Sequence, residues 1–333
     1  MNIAVLGATG AVGRTMLDVL AEREVPVERL VLLASARSAG RTMRWKGGVC
    51  DVAAPTPELF RTVDYALFSA GAERSREWGP IAAEAGAVVI DNSSAWRTDP
   101  DVPLVVPEVN AAALADRPKG IIANPNCSTI QCVVALRPFL EAAGLSRVIY
   151  TTFQSVSGAG EAGRETLRSE LKGEQPAKSP FSRTIRANAI PQIGDFDAEG
   201  WTGEEKKMRQ ETRKILSRPD LHVTATCVRV PVEVGHSVQI TIETERDLTR
   251  EQAEEALRAE PGLVFAADAA GFPTPLDAAG KDEVYVGRLR TDPDLPRTFH
   301  LWVVADNLRK GAATNAVQIL EALLRENRVG SAA

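Results

Sequence analysis

A cysteine stands where the sequence predicts the start of a helix. Cys127 lies in the motif PNCST, between a predicted buried strand (Gly120–Ala123) and an apolar helical period over Ile130–Leu140. A thiol at a helix N-terminus lies at the positive end of the helix dipole, which lowers its pKa and favours the nucleophilic thiolate. We therefore predict that Cys127 is a nucleophile, and we interpret the remaining cysteines as inert thiols: Cys50, Cys132 and Cys227.

Three glycines spaced three residues apart form a loop near the start of the chain. Gly7, Gly10 and Gly13, in the motif GATGAVG, separate a predicted strand (Asn2–Leu6) from a predicted helix (Ala11–Glu22). Such glycines let a backbone turn tightly around a pyrophosphate, and the helix N-terminus supplies N–H donors. A tight turn without a ligand is the alternative, but the position at the start of a βαβ unit favours dinucleotide binding.

The residues after the second predicted strand bear on the choice of dinucleotide. NAD-binding proteins of this type carry an Asp or Glu here for the ribose 2′-hydroxyl. The strand Leu30–Ala34 is instead followed by the sequence SARS, which has no carboxylate. Arg37 can pair with a 2′-phosphate and Ser38 can donate a hydrogen bond to it, so the sequence favours NADP over NAD. The alternative is that Arg37 is a solvated loop cation.

A thiolate beside a nicotinamide indicates one type of reaction. The thiolate would add to an aldehyde, hydride transfer would give a thioester, and a second nucleophile would release the product. This chemistry needs a base, and the chain has three histidines. His222 and His300 lie within strand patterns, whereas His236 follows Gly235 at a strand entrance, where a side chain can point into a cleft. His236 is therefore the candidate.

The composition excludes several other classes of protein. The chain has 333 residues, 44% of them hydrophobic, and 39 Lys and Arg against 44 Asp and Glu give a net charge of −5. These values are typical of a globular protein of two domains, and the scattered basic residues argue against a nucleic-acid partner. No run approaches the roughly 18 to 20 apolar residues that cross a bilayer, so we expect no membrane partner and a cytoplasmic location. Four cysteines without a CxxC pair predict neither a disulfide scaffold nor a metal site.

The elements that must position these residues differ between the two parts of the chain. The first third alternates short apolar strands with helices, which predicts an α/β, Rossmann-like parallel sheet covered on both faces. After Cys127 the period-two pattern of Ser237–Glu243, with strand candidates at Glu283–Arg290 and Thr298–Val304, predicts a second α+β domain. The segment 173–203 has no clear period and is interpreted as a loop. A final helix over 312–326 is expected to pack on a core.

Seven motifs occur together in one order: GATGAVG, SARSAG, IDNSSAWR, VVPEVN, NPNCST, ATCVRVPVEVGHS and NLRKGAA. From Asn2 to about Arg325 the chain closely resembles the aspartate-β-semialdehyde dehydrogenase family, which is similar to glyceraldehyde-3-phosphate dehydrogenase in domain plan. The resemblance implies an NADP-binding Rossmann-like domain of residues 1–126 with 312–330. It also implies a catalytic and dimerisation domain of residues 127–311, and a homodimer or homotetramer.

The activity that the resemblance implies is the reversible conversion of L-aspartate 4-semialdehyde to L-4-aspartyl phosphate. NADP(H) is the implied cofactor, inorganic phosphate is the co-substrate, and no metal is implied. The biosynthetic direction is reductive, toward lysine, threonine, methionine and diaminopimelate. The family's nucleophile falls on Cys127 and its acid/base histidine on His236. Gln154 matches the glutamine that orients the substrate, and Asn126 matches a neighbouring asparagine of the site.

Charged residues of the family's substrate site are also matched. Arg229 corresponds to the arginine that binds the substrate α-carboxylate, where a planar bidentate fork suits a carboxylate better than a lysine would. Glu204 and Lys207 match a pair that binds the substrate ammonium and the phosphate. On their own they would be an ordinary surface ion pair, and Glu205 offers an alternative register. Arg97 matches the arginine that binds the acyl phosphate or inorganic phosphate.

Further positions match cofactor contacts of the family: Thr9, Gly10, Ala11, Val12, Arg37, Ser38, Ser157, Gly158 and Asn307. One departure is Val156, because the family most often has Ala before this Ser-Gly pair, and the larger side chain would crowd the nicotinamide pocket.

Two alternatives stay open at this point. N-acetyl-γ-glutamyl-phosphate reductase has the same chemistry and domain plan, but its cysteine motif usually reads GCYPT, and a Glu placed for a free ammonium would have no purpose against an acetamide. A non-catalytic paralogue would keep the NADP fold as a binding module. Such proteins typically lose the thiol or the base, and this chain keeps both Cys127 and His236.

Overall fold

The computed structural model describes residues 1–176 and 178–330. The chain forms two compact units. One comprises Met1–Pro125 together with residues 312–330, and the other comprises Asn126–Gly311. Each unit combines helices with one large sheet, which confirms the expected α/β fold with a second α+β domain.

The N-terminal unit opens with alternating strands and helices: β1 (Asn2–Leu6), α1 (Ala11–Glu22), β2 (Arg29–Leu33), β3 (Thr42–Trp45), β4 (Gly48–Ala53), α2 (Pro57–Phe60), β5 (Tyr65–Phe68), α3 (Ala72–Glu84), β6 (Val88–Asp91), α4 (Pro107–Asn110) and β7 (Ile121–Ala123). Its sheet has the order β3-β4-β2-β1-β5-β6-β7, and β3 pairs antiparallel while the other pairs are parallel. All four residues of β5 are buried, as expected for a strand covered by helices on both faces.

The β3–β4 hairpin at the edge of this sheet is not predicted by the sequence pattern. A two-residue turn, Lys46-Gly47, joins Trp45 to Gly48 with φ angles of 44° and 78°. Positive φ at both central residues defines a type I′ turn, whose twist matches that of the two strands. Lys-Gly is a weaker signal for this turn than Asn-Gly, and β3 has no buried residue to create an apolar period.

The second unit contains the remaining strands and most of the remaining helices: α5 (Cys127–Ala143), β8 (Leu145–Gln154), α6 (Gly160–Leu171), α7 (Gly203–Ile215), β9 (His222–Arg229), β10 (His236–Thr244), α8 (Arg250–Ala259), β11 (Leu263–Phe265), α9 (Pro275–Ala278), β12 (Val284–Thr291) and β13 (Thr298–Ala305). Its six-stranded sheet has the order β11-β12-β13-β10-β8-β9. β10 is antiparallel to β13 and β8, whereas β8 and β9 are parallel, so the sheet is mixed.

The strand directions gather candidate residues at one end of this sheet. β8 ends at Gln154 and β9 ends at Arg229, and these two residues are register partners in the parallel pair. β10 runs the opposite way and begins at His236, next to the Ser237–Phe153 pair with β8. The topology therefore brings the ends of three strands together although they are far apart in sequence.

The chain between α6 and α7 forms no helix or strand in its described residues, as expected for the segment 173–203. Near the C-terminus, Arg309–Ala313 forms a π-helical turn before α10 (Thr314–Gly330) begins. The regular helix thus starts two residues later than predicted. α10 packs into the core of the N-terminal unit through an apolar stripe that includes Ala316, Ile319, Leu320 and Leu323.

Candidate active site

Cys127 is the first residue of α5, which places its side chain at the positive end of the helix dipole. Asn126 caps this helix, because its Oδ1 accepts hydrogen bonds from the backbone N–H groups of Ser128 and Thr129 at 2.9 and 3.2 Å. Gly311 lies against the cysteine: a Cβ atom at position 311 would be 3.0 Å from Cys127 Cβ. Cys127 is partly exposed and is not disulfide-bonded. The thiol is therefore accessible, while the Asn126 cap and the close backbone of Gly311 fix the position of Cys127.

A buried carboxylate lies beside this helix cap. Glu204 Oε1 accepts hydrogen bonds from Asn126 Nδ2 at 2.8 Å and Gln154 Nε2 at 3.0 Å, and Oε2 lies 3.2 Å from Lys207 Nζ. Burial alone would raise the pKa of Glu204, but the Lys207 ammonium and the two amide donors lower it to about 2. Glu204 is therefore ionised at neutral pH and suited to bind a cation.

The neighbouring Glu205 has a different role. Its Oε2 accepts a hydrogen bond from Thr202 N at 2.8 Å, which completes a capping box at the start of α7, and its Oε1 accepts one from Cys227 N at 3.1 Å. Both carboxylate oxygens are thus bonded to backbone groups. Of the two glutamates, it is Glu204 that the structure brings together with Gln154 and Asn126.

Glu211 is part of this cluster but was missed by the reasoning from sequence. It is 2% exposed, and its Oε2 accepts a hydrogen bond from Asn126 N at 2.6 Å. Glu204, Lys207 and Glu211 have the spacing of one helix face, which is the signal that was available. Because a charged helix face is ordinarily solvated, this spacing alone could not identify a buried residue.

His236, the first residue of β10, is fully buried. Its Nδ1 lies 3.1 Å from both the backbone N and the Oγ of Ser155. Its Nε2 has no hydrogen-bond partner among the described residues. Burial and the Arg229 cation, opposed by Glu204, lower the pKa of His236 to about 3, so the ring is neutral at physiological pH.

Arg229, the last residue of β9, is buried close to His236. Its Nη1 donates a hydrogen bond to Ser155 O at 2.6 Å, and its guanidinium lies 5.9 Å from the centre of the Phe181 ring. A Cβ atom at Gly158 would lie 2.8 Å from Arg229 Nη1 and 3.2 Å from His236 Nε2. Glycine at 158 therefore lets the backbone approach both side chains.

Ser157 and Asn307, which match cofactor contacts of the family, take part in a buried network. Asn307 Oδ1 accepts hydrogen bonds from Ser155 Oγ at 3.0 Å, from Ser157 Oγ at 3.2 Å and from Gly235 N at 2.9 Å. Asn307 Nδ2 donates to Ser157 Oγ at 2.9 Å. This network fixes the loop that precedes His236. Val156, in the same turn, is fully buried and packs with Leu167, Ile185 and Ile190 rather than lining an open surface.

The glycine loop of the N-terminal unit is a tight turn that requires glycine at two positions. Gly7 has a φ of 89°, and a Cβ atom at Gly13 would lie 2.2 Å from Gly7 O, so a larger residue at either position would disrupt the turn. Gly10 is the N-cap of α1 and provides no side-chain cap to the helix. The N–H groups of the first turn are therefore suited to bind an anion. The same loop and first turn hold the other matched positions, Thr9, Ala11 and Val12.

The remaining candidates of the N-terminal unit follow the carboxyl ends of its strands. Arg37 is exposed and Ser38 is buried in the turn after β2. Arg97 is buried, and its Nε and Nη2 donate to the backbone carbonyls of Asn124 and Asn92 at 2.9 and 3.0 Å. Asn92 follows β6 and Asn124 follows β7. In open α/β sheets, ligands bind at this edge.

Residues 1–176 and 178–330 contain neither a ready-made metal cluster nor a membrane-spanning helix. Within these ranges, no cluster of three or more His, Cys, Asp and Glu side chains has the arrangement needed to hold a metal ion. None of the helices there combines the length and the apolar character needed to cross a bilayer.

Two protein-family models match the chain and together cover most of it. One, described as the NAD binding domain of semialdehyde dehydrogenase, matches residues 2–117. The other, described as the dimerisation domain of semialdehyde dehydrogenase, matches residues 136–310. The two matches follow the order of the two units seen in the structure.

Individual relatives match over nearly the full length. Aspartate-semialdehyde dehydrogenase of Aquifex aeolicus is 51% identical over 98% of this chain and 99% of its own. Aspartate-semialdehyde dehydrogenase 2 of Vibrio cholerae is 52% identical over 98% of both chains. The crystal structure of the Vibrio cholerae aspartate semialdehyde dehydrogenase II complexed with ASA superposes with a TM-score of 0.94, covering 97% of this chain and 98% of that one at 52% identity. The chain therefore belongs to the aspartate-semialdehyde dehydrogenase family.

Proposed function

We propose that this enzyme interconverts L-aspartate 4-semialdehyde and L-4-aspartyl phosphate, with NADP(H) as cofactor and inorganic phosphate as co-substrate. The observation that carries the proposal is the buried, ionised carboxylate of Glu204 beside the helix that begins at Cys127. A carboxylate in this position suits a substrate with a free ammonium group. An acetylated amine, as in the N-acetylglutamyl substrate of the alternative family, carries no charge for it to bind.

The other charged groups suit the rest of this substrate. Arg229 offers a planar guanidinium to the α-carboxylate, and burial lowers the pKa of Arg229 without removing its charge. Lys207 is partly exposed and holds Glu204 by an ion pair at 3.2 Å, so in our proposal it also attracts the incoming phosphate. Arg97 is the second phosphate ligand that we propose. Gln154, whose Nε2 donates to Glu204, would orient the thioacyl group.

The proposed chemistry begins at Cys127. The thiolate adds to the aldehyde carbon, and the carbonyl electron pair moves onto the oxygen. NADP, held by the glycine loop, would supply the hydride acceptor for this adduct. The oxygen pair then re-forms the carbonyl of a thioester on Cys127. Phosphate attacks the thioester carbon and expels the Cys127 thiolate, which leaves the acyl phosphate. We propose His236 as the acid/base residue of this reaction.

The glycine loop supports dinucleotide binding, and the following turn supports NADP. Gly7, Gly10 and Gly13 would hold the pyrophosphate at the first turn of α1. Arg37 is exposed, and no described residue forms an ion pair or hydrogen bond with its side chain. It is therefore available for a 2′-phosphate, which NADP has and NAD lacks. We propose that Ser38 adds a hydrogen bond.

We further propose that the enzyme acts as a homodimer or homotetramer in the cytoplasm. Several large apolar side chains of the second unit are well exposed, among them Phe272, Leu276 and Leu295. Exposed apolar groups of this kind favour burial against another subunit. The proposed cellular role is reductive, on the route to lysine, threonine, methionine and diaminopimelate.

The decisive experiment follows NADPH absorbance with L-aspartate semialdehyde and NADP, with and without inorganic phosphate. Phosphate-dependent NADPH formation by the wild type, lost in Cys127→Ser, is the expected result. Activity with N-acetylglutamate semialdehyde instead would contradict the proposed substrate and indicate an N-acetyl-γ-glutamyl-phosphate reductase. No NADPH formation with either aldehyde would favour a binding module without catalytic function.

A further inference from the structure

Arg229 uses only part of its guanidinium in contacts within the protein. Its Nη1 donates a hydrogen bond to Ser155 O at 2.6 Å, and a Cβ atom at Gly158 would lie 2.8 Å from the same nitrogen. Nε and Nη2 form no hydrogen bond with the residues that the structure describes. The edge that carries Nε and Nη2 is therefore the one left to receive both oxygens of a carboxylate.

The guanidinium of Arg229 also lies over the ring of Phe181. The centre of the ring is 5.9 Å from Arg229 Cζ, within the range in which a cation is attracted to an aromatic face. Arg229 is 5% exposed, so little water competes with this attraction. An aromatic ring has no oxygen or nitrogen acceptor, so Phe181 can hold the cation and still leave Nε and Nη2 available to a ligand.

The ring of Phe181 is itself held in place. It is partly buried and packs against a small apolar cluster: Val156, Leu167, Ile185 and Ile190. A Cβ atom at Gly163 would lie 3.2 Å from Phe181 Cζ, so α6 approaches the tip of the ring. Phe181 N donates a hydrogen bond to Ser179 Oγ at 3.1 Å. The ring is therefore supported from the side of α6 and by its own segment.

This segment, residues 181–193, contains no helix or strand, and we call it the strap. Its first part is attached to α6. Glu170 of that helix is 8% exposed, and its Oε2 accepts hydrogen bonds from Ile185 N at 2.9 Å and from Arg186 N at 2.7 Å. One carboxylate oxygen thus anchors two consecutive backbone groups of the strap, a few residues after Phe181.

The last part of the strap is attached to the two residues proposed to bind the charged groups of the substrate. Ile190 N donates to Arg229 O at 2.9 Å, and Ile190 O accepts from Arg229 N at 2.8 Å. Ile193 O accepts a hydrogen bond from Glu204 N at 3.2 Å. The strap therefore holds the backbone of both Arg229 and Glu204, and through Phe181 it also contacts the guanidinium.

We propose that Phe181 is a positioning residue for substrate binding: its ring attracts and holds the Arg229 guanidinium so that the Nε–Nη2 edge receives the α-carboxylate of L-aspartate 4-semialdehyde. The identity of this carboxylate rests on the proposed function, whereas the contact between Phe181 and Arg229 does not. Because the α-carboxylate is unchanged by the reaction, loss of the ring should raise KM and leave kcat near the wild-type value.

Two replacements of Phe181 separate attraction from packing. Phe181→Leu keeps an apolar side chain but removes the aromatic face, and we expect the KM for L-aspartate semialdehyde to rise roughly 3- to 30-fold with little change in kcat. Difluorophenylalanine at position 181, with fluorine at both meta positions, keeps the shape and weakens the negative ring face. The fluorines also stay clear of Cζ, the atom that faces Gly163. We expect this protein to have a KM between those of the wild type and Phe181→Leu.

Phe196→Leu is the matched control. Phe196 lies between the strap and α7 and is 55% exposed, so we expect neither KM nor kcat to change. An unchanged KM in Phe181→Leu would overturn the proposal. A wild-type KM in the fluorinated protein, with a raised KM in Phe181→Leu, would show that Phe181 acts by packing alone and would also overturn it. If Phe181→Leu fails to fold, the KM of the fluorinated protein decides.

The contact can also be tested without substrate or cofactor. In protein labelled with ¹⁵N-arginine, the Nε–Hε signal of Arg229 is assigned by its absence in Arg229→Lys. The field of the nearby ring shifts this signal, so we expect it to move in Phe181→Leu and to stay in place in Phe196→Leu. A signal that Phe181→Leu does not move would contradict the contact. Failure of the proposed function is distinguishable, because it would leave the expected shift in an enzyme inactive with L-aspartate semialdehyde.

Discussion

Asn126 Nδ2 donates a hydrogen bond to Glu204 Oε1 at 2.8 Å, while Asn126 Oδ1 caps the helix that begins at Cys127. One amide group therefore connects the carboxylate proposed for the substrate ammonium to the helix that carries the nucleophile. Its two functions can be separated by mutation. A serine can cap a helix, but it lacks the amide NH₂ group that donates to Glu204.

Asn126→Ser should keep most of the stability and lose the bond to Glu204. We expect a melting temperature close to that of the wild type and a higher KM for L-aspartate semialdehyde. Asn126→Ala loses the cap as well, which costs about 0.5–2 kcal/mol. Thermal unfolding and steady-state kinetics measure the two effects. Equal destabilisation by both variants would show that the cap is not what Asn126 contributes.

Glu204→Gln and Glu205→Gln form a second matched pair. Loss of the Glu204 charge should weaken binding of the substrate ammonium by about 1.5–3 kcal/mol, a fall in kcat/KM of roughly 10- to 150-fold. Glu205→Gln changes a capping box and should alter stability while KM stays near the wild-type value. Kinetics with L-aspartate semialdehyde check both. A larger KM effect for Glu205→Gln would reverse the assignment.

Local sequence was sufficient for the residues whose role depends on the chain next to them. Gly7 and Gly13 predicted their own turn because only glycine fits at these two positions, and the bounds of β1 and α1 are those expected. Cys127 was placed at a helix start by the apolar period that follows it, although α5 begins three residues before that period because Asn126 caps it.

Contacts between distant residues were beyond the reach of a single sequence. Glu204 and Glu205 are adjacent and chemically alike, and only packing of α7 against β9 and α5 decides which one faces Asn126. Ser155 carries no motif that marks it, and it contacts His236 because β8 and β10 are antiparallel neighbours. The sequence contained the residues but not these pairings.

Acid should destabilise the protein through His236. The pKa of this residue is about 3 in the folded chain against an ordinary value of 6.5, so the unfolded chain binds a proton first as the pH falls. The free energy of unfolding should fall by about 1.4 kcal/mol per pH unit between roughly pH 6 and 3 from this group. Glu204, with a pKa of about 2 against 4.5, adds a further loss below pH 4.5.

His236→Gln removes the first of these contributions. Its free energy of unfolding, from urea titrations at fixed protein concentration, should fall less between pH 7 and 5.5 than that of the wild type, by about 1.3 kcal/mol. Parallel pH dependences for the two proteins would mean that the ring is not held neutral in the folded state.

Arg37→Ala should reduce the preference for NADP. The arginine is exposed in the turn after β2 and is proposed to pair with the 2′-phosphate. Loss of this pair should cost about 1.5–3 kcal/mol of binding free energy, which raises the KM for NADP roughly 10- to 150-fold. The KM for NAD should stay nearly unchanged. Arg44→Ala, which removes an exposed arginine of β3, is the control. Equal changes for both cofactors would remove Arg37 from the 2′-phosphate site.

Gly311→Ala should slow the reaction of Cys127 without unfolding the chain. The added Cβ would lie 3.0 Å from Cys127 Cβ and 3.2 Å from its carbonyl oxygen, so the first turn of α5 must shift by a few tenths of an ångström. Because the reacting atoms must be aligned closely, we expect kcat and the rate of Cys127 alkylation by iodoacetamide to fall together. Gly48→Ala adds the same methyl group in an exposed strand of the other unit, where the nearest atom is 3.5 Å away, and should leave both rates unchanged. A fall in kcat with an unchanged alkylation rate would place the effect of Gly311 elsewhere than on the thiol.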